Sequence, residues 1–424
     1  MKHLSVFLLL LCACLSLSAQ VTLEDVKRNP NLSANRYRAY PAEERDSLSS
    51  PPRGFKPFYV YYIGRHGSRF LERKTSYTSI LKLFEQAQED DALTDKGKDV
   101  FRRLRVIAAD AAGRYGALTR TGERQLRGIA ERMYRAYPEI FGKDDLEVHA
   151  ISTTSKRVIN TMHAYCDRMR ELNPRGRIIE TVDSPVYGEW GSDTPGEQTV
   201  ADAGTPYGKR YREILDEYRQ PARLVESLFK NPSYPESKGR SGNFVLSSLF
   251  KIASDIQDTA LDFEDYNLYD IFTAEELYKL SVIDNYQTYV DYGASPETAG
   301  IKNHIIHKPM ELMIERAEAA WRDGTDDAFL VFCHDGNIGP YAAALKIPWA
   351  YNDHAIEPEE VSRVYSAATV VTMGCNLQFI FYRNRKGRIL VKVLLNEREA
   401  MLPIGIDGTP YNDWDAFKTF ALSK

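Results

Sequence analysis

The chain has 424 residues, 43% of them hydrophobic and 27% charged, with a formal net charge of −4. This composition supports a large globular core, in two or three domains or in one domain with a large insertion. The absence of a basic excess excludes a nucleic-acid binder, so an anionic substrate has to be met by a positive field local to a cleft.

The first element in chain order is a leader. Lys2 and His3 precede the apolar run LSVFLLLLCACL, and small residues follow up to Gln20. Residues 1–19 therefore read as a secretory signal cleaved after Ala19, with a lipid anchor at Cys14 as the alternative. The run is shorter than the ~20 residues of a membrane span, and no later segment approaches that length. The expected location is periplasmic or secreted. Residues 20–57 are polar and proline-rich and read as an N-terminal arm.

FYVYYI at 58–63 is an unbroken apolar run, the mark of a strand buried on both faces of a parallel sheet between helical layers. Residues 76–112 read as helical with a break near EDDALTDKG. In TGERQLRGIAERMYRAYPEIFG, residues Leu126, Ile129, Met133, Tyr134 and Tyr137 share one helical face, ended by Pro138 and Gly142. Residues 145–152 alternate like a strand, and 153–172 follow as a helix with Ser and Thr available as caps.

Residues 183–304 are rich in Tyr, Asp, Glu and Gly, with helical stretches at 206–229 and 273–290, and read as a mostly helical inserted cap. A helix with Met310, Met313, Ile314, Ala317 and Trp321 on one face, a strand at 326–333, a further helix and two strands around the turn Asn384–Gly387 complete the chain. The expected fold class is α/β: a central, mainly parallel sheet flanked by helices, built from 58–182 and 305–424, carrying the helical cap insertion. Cys166, Cys333 and Cys375 form neither a disulfide framework nor a zinc pattern, and read as small buried hydrophobes.

Three strand-to-helix junctions carry the chemistry. The first holds Arg65, His66, Gly67, Ser68 and Arg69; the second leads to Arg157; the third holds His334 and Asp335. In a parallel sheet, ligands bind beyond the carboxyl ends of the strands. The guanidinium forks of Arg65, Arg69 and Arg157 suit phosphate oxygens, and Gly67 allows close backbone approach to an oxyanion. Cations around His66 favour its neutral form, which can attack phosphorus as a nucleophile. Asp335, raised in pKa beside a phosphate dianion, can protonate the leaving alkoxide. Arg73 and Lys74 stand close enough in sequence to meet further phosphates.

RHGSR with a late HD resembles the histidine acid phosphatase family, which includes histidine-type phytases, and the resemblance covers most of the chain after the leader. LTRTGERQ at 118–125 is similar to the family's Leu-Thr-x-x-Gly-x-x-Gln stretch, and TTSKRVINT is similar to its segment carrying a third phosphate arginine. The N-terminal half and LLNERE look most like bacterial members related to multiple inositol polyphosphate phosphatases. The resemblance implies that His66 is the nucleophile, that Arg65, Arg69, Arg157 and His334 bind the phosphoryl group, that Asp335 is the proton donor, and that no metal or other cofactor is needed. Leu71 stands where the family motif carries proline. His334-Asp335-Gly336 stands where inositol polyphosphate phosphatases commonly carry His-Ala-Glu, which aligns the donor with acid phosphatases and phytases.

The expected activity is hydrolysis of small phosphorylated anions through a phosphohistidine, inositol polyphosphates first and sugar phosphates second. The rivals are a broad-specificity acid phosphatase, a phosphomutase and a non-catalytic phosphate-ligand binder.

Overall fold

The computed structural model describes residues 21–41, 47–182 and 206–423, with side chains excepted at 297–305. The expected leader at 1–19 and the start of the expected insertion lie outside the described residues. The described strands form one sheet: β1 (Lys56–Arg65), β2 (Glu147–Ser152), β3 (Arg177–Val182), β4 (Ala328–Cys333), β5 (Asn376–Arg383), β6 (Ile389–Leu395), β7 (Arg398–Glu399) and β8 (Tyr411–Asp413). Their order is β3-β2-β4-β1-β5-β6-β7, with β8 against β6. Neighbours β3, β2, β4 and β1 pair in parallel, and β5 to β8 add an antiparallel flank.

The apolar run in β1 is explained by two cores. Tyr59, Tyr61 and Ile63 enter one, with the helices Pro296–Asp323, Asp335–Ala344 and Trp414–Ala421. Val60 and Tyr62 enter the other, with the helices Arg120–Ala136 and Lys156–Leu172. Successive strand side chains point to opposite faces, so a strand between two helical layers has no solvent face left for polar residues. Cys166, Cys333 and Cys375 are buried and free.

A third core lies beside the sheet. It joins helices Lys74–Glu89 and Asp95–Ala111 to Ala222–Leu228, Gly242–Ile256 and Ala274–Asp291, and takes in Val21 and Val26 of the arm. This cluster mixes segments from both sides of residue 183, and helix Pro296–Asp323 runs unbroken through residue 304. That helix starts upstream of Pro309, where the apolar periodicity begins.

Three local details depart from the sequence reading. The helix Arg120–Ala136 stops before Pro138, and Pro138–Phe141 forms a separate turn. Ser155 is the N-cap of Lys156–Leu172, yet its side chain makes no capping bond. Strand β3 escaped notice because it is a half-exposed edge strand with no apolar run.

The turn after β1 packs against the start of helix Arg120–Ala136. A Cβ on Gly67 would lie 2.6 Å from the carbonyl oxygen of Gly122, and one on Gly122 would lie 2.3 Å from that of Ser68. Gly67 therefore permits this backbone-to-backbone contact, a requirement that the sequence by itself did not reveal. Gly122→Ala should destabilise the fold by about 1–3 kcal/mol, as overpacking does; chemical denaturation of the two proteins measures it.

Candidate functional site

The carboxyl ends of β2, β4 and β1 lie side by side. Arg65 pairs with Cys333 across β1 and β4, and Ser152 pairs with Phe332 across β2 and β4. The chain therefore leaves the sheet at His66, Thr153 and His334 at one level. The His66 and His334 rings lie edge to face with centroids 5.6 Å apart.

A cavity of about 400 Å³ opens there, lined by Arg65, His66, Arg69, Arg157, His334 and Asp335. These are six of the eight side chains expected from sequence. Arg73 and Lys74 are exposed at the start of helix Lys74–Glu89 and do not line it. Arg36, Tyr37, Glu72 and Tyr292 line the cavity and were missed. Arg36 and Tyr37 belong to an arm that read as a lead-in, and Tyr292 is one of many tyrosines in the insertion, so no local pattern marks them.

His66 is buried. Its Nδ1–H donates to the Gly67 carbonyl at 2.9 Å, since a carbonyl only accepts, and this leaves the lone pair on Nε2. Burial, then Arg65, Arg69, Arg157 and His334, push its pKa well below the usual histidine value. The ring is thus neutral, as the sequence suggested.

Arg65 is buried and held by carbonyls: Nη1 donates to Arg36 O at 2.7 Å and to Val371 O at 2.6 Å. Its Nη2 lies 3.4 Å from Asp335 Oδ2. Arg69 Nη1 donates to Phe70 O at 3.0 Å, and the Tyr37 ring centroid lies 5.5 Å from its guanidinium carbon. Glu72 Oε1 bridges Arg69 and Arg157, at 3.6 and 3.0 Å.

Asp335 opens the helix that follows β4 and accepts from the Tyr292 hydroxyl at 2.8 Å. Burial raises its pKa, but Arg65, Arg36 and the Tyr292 bond outweigh that and hold it well below the carboxylate range. This is its state in the free chain; the raised value expected from sequence belongs to the complex with a phosphate dianion.

LTRTGERQ is the cradle of the turn after β1. Leu118 bridges to Arg69, Thr119 N donates to Ser68 O at 2.9 Å, and Gly122 provides the close contact described above. Ser68 N donates to Gln125 Oε1 at 3.0 Å, and Gln125 Nε2 donates to Ser68 Oγ at 2.9 Å. Ser68 Oγ in turn donates to Asp258 Oδ1 at 2.5 Å. A parallel relay runs from Leu71 N to the Tyr77 hydroxyl at 2.9 Å, and from that hydroxyl to Asp255 Oδ2 at 2.7 Å.

Asp255 and Asp258 are buried acids. Burial pushes Asp255 up to about 7, and burial together with Asp255 pushes Asp258 well up. A carboxyl with its pKa raised by folding binds its proton more tightly in the folded chain than in the unfolded one. Its contribution therefore favours the fold increasingly as pH falls from about 7 toward the ordinary carboxylate value near 4. Asp255→Asn should flatten this dependence, seen as a smaller rise in melting temperature between neutral and mildly acidic pH than in the unaltered protein.

The family model described as histidine phosphatase superfamily (branch 2) matches residues 59–396. No curated relative matches the sequence. The fold is similar to that of the multiple inositol polyphosphate phosphatase of Bifidobacterium longum, solved with inositol hexasulfate. That match has a TM-score of 0.73 at 16% identity and covers 91% of this chain and 97% of that one. It is also similar to the phytase from D. castellii, with a TM-score of 0.67 at 15% identity, covering 92% and 84%. The Hafnia alvei phytase solved with tartrate matches with a TM-score of 0.52 at 15% identity, covering 88% and 97%. At these identities the likeness is one of fold.

Proposed function

This chain belongs to the histidine phosphatase superfamily (branch 2) and is a phosphatase, and from that premise we propose that it hydrolyses phosphomonoesters through a phosphohistidine at His66. The observation that best supports this is a neutral imidazole sharing one cavity with a carboxyl, both within a ring of guanidiniums.

In the first step Nε2 of His66 attacks phosphorus, the bond to the ester oxygen breaks, and that oxygen takes the proton of Asp335. In the second, water attacks the phosphohistidine while Asp335 takes its proton. The P–N bond breaks, His66 is restored, and inorganic phosphate leaves. Arg65, Arg69, Arg157 and His334 hold the phosphoryl oxygens and offset charge developing on them. A phosphoryl dianion seated among the arginines cancels their field at Asp335 and raises its pKa, so the donor gains its proton with the substrate. The scheme uses only the chain's own residues.

The substrate in this reading is an inositol polyphosphate. Two of the similar folds are named as a multiple inositol polyphosphate phosphatase and a phytase, which supports it. So does an adjoining cavity of about 210 Å³ that shares Arg36 and Tyr37 with the first and adds Arg219 and Lys251. A ring carrying several phosphates needs cations beyond the scissile site. A sugar-phosphate or broad-specificity acid phosphatase has one observation in its favour: Glu72 places a negative charge beside Arg69 and Arg157, which repels a second phosphate. The leader read at 1–19 supports a periplasmic or secreted location, and no helix among the described residues is long and apolar enough to cross a membrane.

Phosphate release from phytate, glucose phosphates and an aryl phosphate, across pH and with and without chelator, tests the reading. His66→Ala should abolish turnover and the acid-quenched phosphoenzyme. Asp335→Asn should slow alkyl esters by ~10²–10⁴ and the activated aryl ester far less, because only the poor leaving group needs the proton; equal losses would refute the donor role. Turnover should decline as pH rises through the pKa of Asp335 in the substrate complex, because the first step needs its protonated form.

A further inference from the structure

The arm reaches the phosphoryl pocket and is fixed there from both sides. Before Arg36, Asn35 Nδ2 donates to Ser281 O at 2.8 Å. After Tyr37, Arg38 Nη1 donates to Ala368 O at 2.9 Å, and Met373 N donates to Arg38 O at 2.9 Å. Asn35 itself has φ +50° and ψ −121°, a positive-φ conformation that turns the chain where it enters the site.

Three features of the anchored pair face the site. The carbonyl of Arg36 receives the Arg65 guanidinium at 2.7 Å. The ring of Tyr37 backs Arg69, while Glu72 approaches the same guanidinium through Nη2. The Arg36 guanidinium lines both the phosphoryl cavity and its neighbour, with its Nε buried and without a hydrogen-bond partner. Asp284, on the helix Ala274–Asp291, lies 3.6 Å from that Nε and orients the fork.

We propose that the arm is a working wall of the site, with Arg36 a substrate-contacting cation and Tyr37 a positioning residue for Arg69. This rests on the phosphomonoesterase reading above. Arg65, Arg69, Arg157 and Arg36 crowd one cavity, and like charges so placed repel one another outward. An aromatic face is a partner that holds a guanidinium without taking up the donors meant for phosphate. Arg36 stands where the two cavities meet, so a phosphorylated substrate extending from one into the other passes along its fork.

The test uses the whole protein with two readouts: equilibrium binding of inorganic phosphate, and steady-state hydrolysis of an aryl phosphate. Arg36→Gln should weaken phosphate binding and raise KM about tenfold, the usual scale for loss of a charged hydrogen bond, with kcat changed much less. Arg36→Lys should recover part of this. Tyr37→Leu should raise KM about threefold, as loss of a cation–π contact does, while Tyr37→Phe matches the unaltered protein because the ring is retained. Melting temperatures monitor folding, and Tyr37→Met replaces Tyr37→Leu if the latter does not fold.

Unchanged phosphate binding in Arg36→Gln, or a loss confined to kcat, overturns the role of Arg36. Tyr37→Phe as impaired as Tyr37→Leu, or Tyr37→Leu unimpaired, overturns that of Tyr37. If the unaltered protein hydrolyses no ester, the phosphomonoesterase reading fails by itself, and phosphate binding by the same variants still decides the arm's part.

Discussion

The parallel register of β1 and β4, with Arg65 opposite Cys333, is the constraint on which the site rests. It delivers His66 and His334 to the same level and places Asp335 beside Arg65. A slip of one residue would turn every β4 side chain to the other face of the sheet. Leu330 and Phe332 would leave the core they share with Val60 and Tyr62, and Val331 and Cys333 would leave theirs. The two hydrophobic layers therefore hold the register, and the register holds the chemistry. β2 extends the same logic to Arg157, since its last residue lies opposite Phe332.

Charge decides what the assembled side chains can do. His66 is shifted downward by burial and neighbouring cations, and Asp335 by cations that outweigh its burial, with opposite consequences: the imidazole is left neutral and the carboxyl ionised. Burying the Arg65 guanidinium costs hydration, and two backbone carbonyls and Asp335 restore its partners. Glu72 and Asp335 offset part of the charge of four arginines, so the cavity remains net positive in a chain whose overall charge is negative. A local field of this kind draws anions to one place on the surface.

The helical layer beside the sheet is joined to the turn after β1. Phe70 and Leu71, immediately after Arg69, belong to its hydrophobic core. Asp255, at the end of helix Gly242–Ile256, and Asp258, just beyond it, reach the turn through Tyr77 and Ser68. Displacing these helices would strip the turn of both hydrogen-bond relays and of apolar contacts. The turn is thus supported on one side by helix Arg120–Ala136 and on the other by the helical layer, which fixes the position of the His66 ring in the cavity.

What the sequence determined by itself is what short windows encode. The unbroken apolar runs of β1 and β4 specify strands buried on both faces, because any polar residue there would lack a partner. The clusters at 65–69 and 334–335 place basic and acidic side chains where two buried strands end, and the fold gathers them around one cavity. The edge strand β3 left no such mark, since a half-exposed strand needs no apolar run. Tertiary structure alone decided the rest. It brought Arg36 and Tyr37 from the arm and Tyr292 from the insertion into the cavity, left Arg73 and Lys74 outside it, and set Asp335 among cations that lower its pKa in the free chain. These are properties of distance between residues remote in the chain, and a one-dimensional pattern carries periodicity and chemistry but no such distances.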